Sequence, residues 1–117
     1  MTNFIHMRYT TEVNGEPEID GRGGLTIAYQ LDPESSSLRI GYAKCSRVDL
    51  YNKRRGRDIA EGRLKSKDYC HTIKFAEPEP FNELSLDRRK AEDYVFGAMT
   101  QILPEEALPD YYELVTR

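Results

Sequence analysis

The sequence predicts an α+β domain in which an antiparallel sheet of about four strands carries two helices on one face. Two observations lead to this class. Apolar residues alternate with a period of two in residues 25–31 and 38–43, which is typical of strands with one buried face. Two later proline-free stretches instead carry apolar or small residues at helical spacing. The order strand, strand, strand, helix, strand, helix over 117 residues fits a single domain, 1–117.

Residues 1–45 are rich in strand signals. Residues 4–13 are largely β-branched and aromatic, and the Asn14-Gly15 dipeptide that follows favours a tight turn because both residues tolerate positive φ. The glycine-rich stretch 15–24 predicts a loop, and it lacks the lysine and helix of a phosphate-binding loop. The alternating segments 25–31 and 38–43 are expected to pair as an antiparallel hairpin.

The remaining elements follow from the change of period. A helix is predicted over 49–65, with Asp49 as its N-cap. Its stripe consists of Gly56, Ile59, Ala60, Arg63 and Leu64. A strand is predicted over 68–76, and Pro78 and Pro80 are expected to end it because proline offers no amide to a ladder. A second helix is predicted over 86–103, capped by Ser85. The tail, 107–117, is expected to pack back on the domain or to reach a neighbouring subunit.

The charge distribution excludes some functions. The chain has 17 basic and 20 acidic residues, a net charge of −3, which argues against a protein that coats nucleic acid. Nine of the basic residues fall in 44–67, so we expect a small anionic ligand rather than a long polyanion. No apolar run is long enough to span a membrane and the N-terminus lacks a signal pattern, so a cytoplasmic location is expected.

The cysteines and histidines give little support for chemistry. Cys45 and Cys70 are expected to be free thiols, and no metal or cofactor is expected. Cys70 beside His71 is the one candidate nucleophile with a base. Neighbouring strand residues point to opposite faces, however, and a free cysteine is more often simply buried. We therefore do not expect an enzyme.

Two glycines lie inside the first predicted helix. Gly56 and Gly62 each cost roughly 1 kcal/mol relative to alanine, which indicates that another segment or a ligand comes close. Helix packing is the commoner cause. The small pair Gly56 and Ala60, together with the apolar tail, predicts a homo-oligomer.

Basic and aromatic side chains supply the candidate ligand contacts, which are Arg54, Arg57, Phe81, Arg88 and Arg89. A guanidinium group binds phosphate through two parallel hydrogen bonds. Arg88 and Arg89 open a helix, where the helix dipole disfavours cations, so a bound anion would offset that cost. The alternative is that they pair with neighbouring carboxylates of residues 83, 92 and 93. Phe81 either stacks on a base or closes the edge of the core.

Residues 40–64 resemble the Thoeris anti-defence sponge family of small phage proteins, of the first described type. The resemblance rests on a strand, Ala43-Lys44-Cys45, Asp49, an aromatic residue, a basic pair, and the run Gly-Arg-Asp-Ile-Ala-Glu-Gly-Arg-Leu at 56–64. It implies an oligomeric α+β protein that binds cyclic ADP-ribose isomers, and in some members cyclic oligonucleotides, without cleaving them. It also implies ligand contacts from Arg57, Phe81 and Asn82.

We therefore expect a cytoplasmic phage counter-defence protein that sequesters a cyclic nucleotide immune signal as a homo-oligomer, with no membrane or long nucleic-acid partner. Two alternatives stay open. One is a protein–protein inhibitor, such as an anti-CRISPR, that uses the same arginines on an acidic surface. The other is a small nucleotide-processing enzyme with Cys70 or a carboxylate as its reactive group.

Overall fold

A four-stranded antiparallel sheet, a separate two-stranded hairpin and three helices make up the part of the chain that the computed structural model describes, residues 2–103. In chain order the elements are β1 (Asn3–Met7), β2 (Thr10–Val13), β3 (Glu16–Ile19), β4 (Arg22–Asp32), β5 (Ser37–Leu50), α1 (Lys53–Leu64), β6 (His71–Lys74), α2 (Pro78–Leu86) and α3 (Arg88–Ile102). The predicted α+β class and the four-stranded antiparallel sheet are confirmed. The predicted tail, 107–117, lies outside the described residues.

The sheet runs in the order β1-β4-β5-β6, with β4 and β5 as its two inner strands. Ile27 of β4 lies opposite Ile5 of β1 and Tyr42 of β5, so these three side chains share one face. The predicted hairpin of 25–31 with 38–43 is present as the pairing of β4 with β5. Residues 23–29 of β4 are all buried, so this strand is covered on both faces.

Helices cover both faces of the sheet, which corrects the prediction that two helices share one face. On the first face, α2 and α3 pack on the large apolar side chains of β1, β4 and β5, including Ile27 and Tyr29. On the second face, α1 packs on the small residues Ala28 and Ala43 through Ala60 and Leu64. The physical reason is residue size: the alternation marks the large side chains as one buried face, whereas the small residues between them admit a close helix backbone.

The β2–β3 hairpin turns at Asn14 and Gly15, whose φ angles are 53° and 81°. The predicted tight turn is therefore confirmed. The stretch 15–24, predicted as a loop, instead contains β3 and the start of β4. Every residue of 11–19 is exposed, so the hairpin stands apart from the sheet.

Several predicted boundaries and caps are wrong. Because β5 continues to Leu50, α1 begins at Lys53 and is capped by Asn52, whose Oδ1 accepts a hydrogen bond from the Arg55 amide at 3.0 Å; Asp49 is not the cap. The predicted strand 68–76 contains only the short β6.

The predicted helix 86–103 is present as α3, whereas the preceding α2 was not predicted; the two helices meet at Asp87. The Asp87 carboxylate accepts hydrogen bonds from the amides of Arg89 and Lys90 at 3.0 and 3.3 Å, so it replaces Ser85 as the cap. The proline pair that was expected to end a strand starts α2, because the first turn of a helix needs no amide donor there.

Candidate ligand-binding site

A cavity of about 400 Å³ lies on the second face of the sheet, where β5 ends and α1 begins. Its charged lining residues are Arg55, Asp49 and Lys44, and the side chain of Lys44 shares the first face with Leu25, its partner in β4. Its other exposed lining side chains are the polar Ser46 and Asn52 and the apolar Leu50 and Ile59. The volume falls in the range of small-molecule sites, about 300–1,000 Å³.

A wide bulge in β5 forms one rim of the cavity. Gly24 of β4 lies opposite Cys45, but Arg22 lies opposite Leu50, so residues 46–49 of β5 bulge against the single Gly23. Arg22 holds the bulge, because its Nη1 donates to the carbonyl oxygen of Val48 at 2.7 Å. The Cys45 thiol lies inside the bulge, 3.6–3.7 Å from three of its carbonyl oxygens.

A buried polar network forms the floor. The Tyr51 hydroxyl lies 2.7 Å from Nδ1 of His6 and 2.5 Å from Oγ1 of Thr26, and both partners are fully buried. Burial raises the pKa of the Tyr51 hydroxyl, although the hydrogen bond with Thr26 and the charges of Arg8 and Arg57 act the other way. The Tyr51 hydroxyl is therefore neutral at physiological pH.

Because Gly24 has no side chain, β4 packs closely against the ring of Tyr51. A Cβ on Gly24, whose φ is +149°, would come within 2.5 Å of two Tyr51 ring carbons. The guanidinium carbon of Arg8 lies 4.3 Å from the centroid of the same ring. Because Tyr51 is packed in this way, its ring serves the floor of the cavity and is not a platform for a base.

Gly56 and Gly62 differ in what surrounds them. A Cβ on Gly56 would overlap Oγ1 of Thr26, so the close approach predicted for this residue is made by the protein's own sheet. A Cβ on Gly62 would meet no described atom within 4 Å, so no described segment of this chain makes the close approach there. Ala60 is fully buried against the sheet. The small-residue pair on which the oligomer prediction partly rested is thus used within the chain.

The start of α1 carries an excess of positive charge. Lys53, Arg54 and Arg55 form its first turn, which has no acidic residue and a neutral cap. Within residues 2–103, none of these three side chains forms an ion pair. The helix dipole disfavours cations at this end, so the arrangement favours binding of an anion here.

The start of α3 also carries positive charge, but carboxylates of the same chain balance it. Asp87 caps the helix, and Arg88 Nε contacts Glu92 Oε1 at 3.1 Å, with Glu92 only 10% exposed. The predicted alternative of pairing with a neighbouring carboxylate is therefore the correct one for Arg88. Arg89 is exposed on the same helix.

The six predicted contact residues do not meet in one place. Arg54 and Arg57 lie on α1, and Arg54 is exposed outside the cavity lining. Arg57 is half-buried, and its charge reaches Tyr51 at the floor. The other four lie on α2 and α3, across the sheet.

Phe81 and Asn82 are also placed differently from the expectation. Phe81 is 5% exposed, and its ring centroid lies 6.1 Å from that of Phe75. Of the two interpretations offered for this ring, closing the edge of the core is the one that the structure shows. Asn82 is exposed on α2 and does not line the cavity.

The candidate nucleophile and base are directed apart. Cys70 packs with the small residues on the second face, whereas the ring of His71 stacks on Tyr42 of the first face, with centroids 5.9 Å apart. Cys45 and Cys70 are free thiols. Within residues 2–103, no three histidine, cysteine or acidic side chains are grouped as they would be to hold a metal ion.

Sequence reasoning missed the actual lining residues Lys44, Ser46, Asn52 and Arg55. All of them lie in the segment 40–64 that the sequence singled out, so its basic composition was a usable signal. Which of the neighbouring arginines lines the cavity depends on where α1 starts. The predicted start, at 49, is four residues before the observed start at Lys53.

No family model, curated protein or solved structure matches this chain. None of the three helices in the described part of the chain is long and apolar enough to cross a membrane. The geometry of the cavity therefore carries the functional argument.

Proposed function

We propose that the cavity between β5 and α1 binds a small phosphate-bearing nucleotide and that the protein sequesters this ligand without cleaving it. One observation carries the proposal. Arg55 lines a cavity of about 400 Å³ at a helix start that has no acidic residue in its first turn. A phosphate group supplies the charge that this surface lacks.

Different lining side chains are suited to different parts of the ligand. The Arg55 guanidinium offers paired donors that match phosphate oxygens. Leu50 and Ile59 give the cavity exposed apolar walls, at 72% and 37% exposure, against which a base can pack. Ser46 and Asn52 provide hydrogen-bonding groups for the rest of the ligand.

Binding without cleavage is favoured by the placement of the reactive groups. Cys70 and His71 face opposite sides of the sheet, so they do not act as nucleophile and base on one substrate. The Cys45 thiol lies beside backbone carbonyl oxygens, with no histidine among the residues that line the cavity. These positions suit a site that holds its ligand.

The resemblance of residues 40–64 suggests the ligand class and the setting. On this basis the ligand is a cyclic ADP-ribose isomer or a cyclic oligonucleotide that serves as an immune signal. The protein then acts as a phage counter-defence protein in the host cytoplasm. We propose Arg57 as a support for the floor rather than as a phosphate contact, because it is half-buried and is not among the residues that line the cavity.

Ligand capture and release tests the proposal. The protein is incubated with a set of cyclic nucleotides, desalted and heated, and the released material is identified by chromatography and mass. Intact release supports sequestration, and a changed product indicates a nucleotide-processing enzyme. Failure to retain any nucleotide overturns the proposal and favours a protein–protein inhibitor.

Arg55→Ala and Arg54→Ala form a matched pair of variants. The two arginines are adjacent on α1, but only Arg55 lines the cavity. Loss of a hydrogen bond to a charged group costs about 1.5–3 kcal/mol, which is roughly 10–150-fold in affinity. Titration calorimetry should show this loss for Arg55→Ala and less than about threefold for Arg54→Ala. Equal losses in both variants would place the site elsewhere.

A further inference from the structure

The β2–β3 hairpin lacks the packing that such a hairpin normally needs. Its residues 11–19 are all exposed, and no other element of the described chain packs extensively against it. An isolated two-stranded hairpin is marginally stable in water. A partner that covers the hairpin would therefore stabilise it.

One face of the hairpin combines negative charge with an apolar side chain. Val13 lies opposite Glu16 and Thr11 lies opposite Glu18, so these four side chains share a face. Val13 is 41% exposed, and residues 9–21 contain no lysine or arginine. A complementary partner surface must be cationic and partly apolar.

The chain itself carries such a surface at the end of β5 and the start of α1. We call it the α1-start surface, and it consists of Val48, Leu50, Lys53 and Arg54. Val48 and Leu50 are 73% and 72% exposed, and the two cations are exposed as well. Lys53 and Arg54 do not line the cavity, so nucleotide binding does not occupy them.

Within one copy the two surfaces are close in the fold but not paired. The amide of Tyr51 donates to the carbonyl oxygen of Gly21 at 2.9 Å, and the Arg47 guanidinium carbon lies 4.1 Å from the ring centroid of Tyr9. These contacts place the base of the hairpin beside the α1-start surface. No ion pair joins the hairpin to Lys53 or Arg54 in the described residues.

We propose that the hairpin of one copy docks on the α1-start surface of a second copy in a two-fold symmetric dimer. The carboxylates of Glu16 and Glu18 then face Lys53 and Arg54, and Val13 covers the exposed apolar residues. Because both surfaces lie at the same end of the molecule, one two-fold axis forms the contact twice. This doubling matters because stable interfaces bury about 1,200–2,000 Å² and a single hairpin is small.

Charge reversal on each surface tests this arrangement. The hairpin variant is Glu16→Lys with Glu18→Lys, and the helix variant is Lys53→Glu with Arg54→Glu. In either variant alone, like charges meet at both contacts of the dimer. In an equimolar mixture of the two variants, opposite charges meet at both contacts again, so the mixture should recover the dimer.

Size-exclusion chromatography with light scattering gives the measurement, at about 50 mM salt to limit screening. We expect a dimer for the parent, monomers for each variant alone, and a dimer for the mixture. The matched control is Glu34→Lys with Glu83→Lys, which makes the same charge change at exposed residues off the hairpin and should stay dimeric.

A monomeric parent, dimeric single variants or a mixture that stays monomeric would each overturn the proposal. Misfolding is not expected to interfere, because all four reversed residues are exposed and glutamate is favourable at a helix start. Thermal melting of each variant checks this point. The four reversed residues lie outside the cavity lining, so failure of the dimer test leaves the nucleotide proposal standing.

Discussion

Alanine at Gly56 and at Gly62 should change stability in opposite directions, although both glycines lie inside α1. Alanine is favoured over glycine in a helix by roughly 1 kcal/mol, and this gain applies to both positions. At Gly62 the new methyl group meets no described atom within 4 Å, so the whole gain should appear. At Gly56 the methyl group overlaps Oγ1 of Thr26.

Thr26 has little freedom to move away from that methyl group. It is fully buried, and its hydroxyl lies 2.5 Å from the Tyr51 hydroxyl and 3.2 Å from Nδ1 of His6. Rotating the side chain would break these contacts, and moving the helix would strain its packing on the sheet. Overpacking of this kind costs about 1–3 kcal/mol.

The helix gain cancels in the comparison, so Gly56→Ala should be about 1–3 kcal/mol less stable than Gly62→Ala. At about 4 °C per kcal/mol, the melting temperatures of the two variants should differ by roughly 4–12 °C. Urea denaturation with an unchanged m-value provides the free energies. If both variants stabilise the protein equally, the contact between α1 and β4 is not as close as we describe.

Three further predictions concern the same region of the fold. Gly41→Ala should destabilise the protein by about 3 kcal/mol in urea denaturation, because the added Cβ would overlap the backbone of Ala60 and Leu64 rather than a side chain. Arg39→Met should cost about 1 kcal/mol in the same assay, because Arg39 Nη2 donates to the carbonyl oxygen of Leu64 at 2.9 Å, at the end of α1; an unchanged midpoint would contradict this. The pKa of Tyr51 is raised above 10.0, so the folded state holds this proton more tightly than the unfolded chain and the free energy of unfolding should fall as pH rises above about 10. Tyr51→Phe should reduce that fall, and a parent whose stability is flat up to pH 11 would refute the buried position of the hydroxyl.

The sequence was sufficient to predict the strands in which one face carries large apolar side chains and the other carries smaller ones. Leu25, Ile27 and Tyr29 alternate with smaller residues, and this contrast identified β4 and its pairing with β5. The same contrast hid the second buried face, because Thr26 and Ala28 are small and are not large apolar side chains. A hydrophobic pattern does not identify a buried face of small residues unless the helix that packs on it is known.

Other errors came from residues that have two compatible roles. Pro78 and Pro80 end a strand or begin a helix equally well, since both roles need no amide donor. Asp49 and Asn52 are both good caps, and only the extension of β5 to Leu50 decides between them. The extension of β5 in the sheet therefore sets where α1 begins, and local propensity does not encode that extension.

The start of α1 departs from the rule that a helix N-terminus disfavours cations, and no ion pair in the described chain compensates for this. Three consecutive cations, Lys53, Arg54 and Arg55, oppose the helix dipole, and their cap is the neutral Asn52. The start of α3 carries cations too, yet Asp87 and Glu92 balance them, so the fold has a ready means of doing so. Natural sequences tend to retain such local conflicts at functional sites. At 100° per residue, adjacent side chains of a helix diverge, which directs Arg55 into the cavity and leaves Arg54 outside it. One uncompensated helix start can therefore serve two anionic partners, a phosphate in the cavity and the carboxylates of a second copy on the outside, and the paired variants separate the two roles.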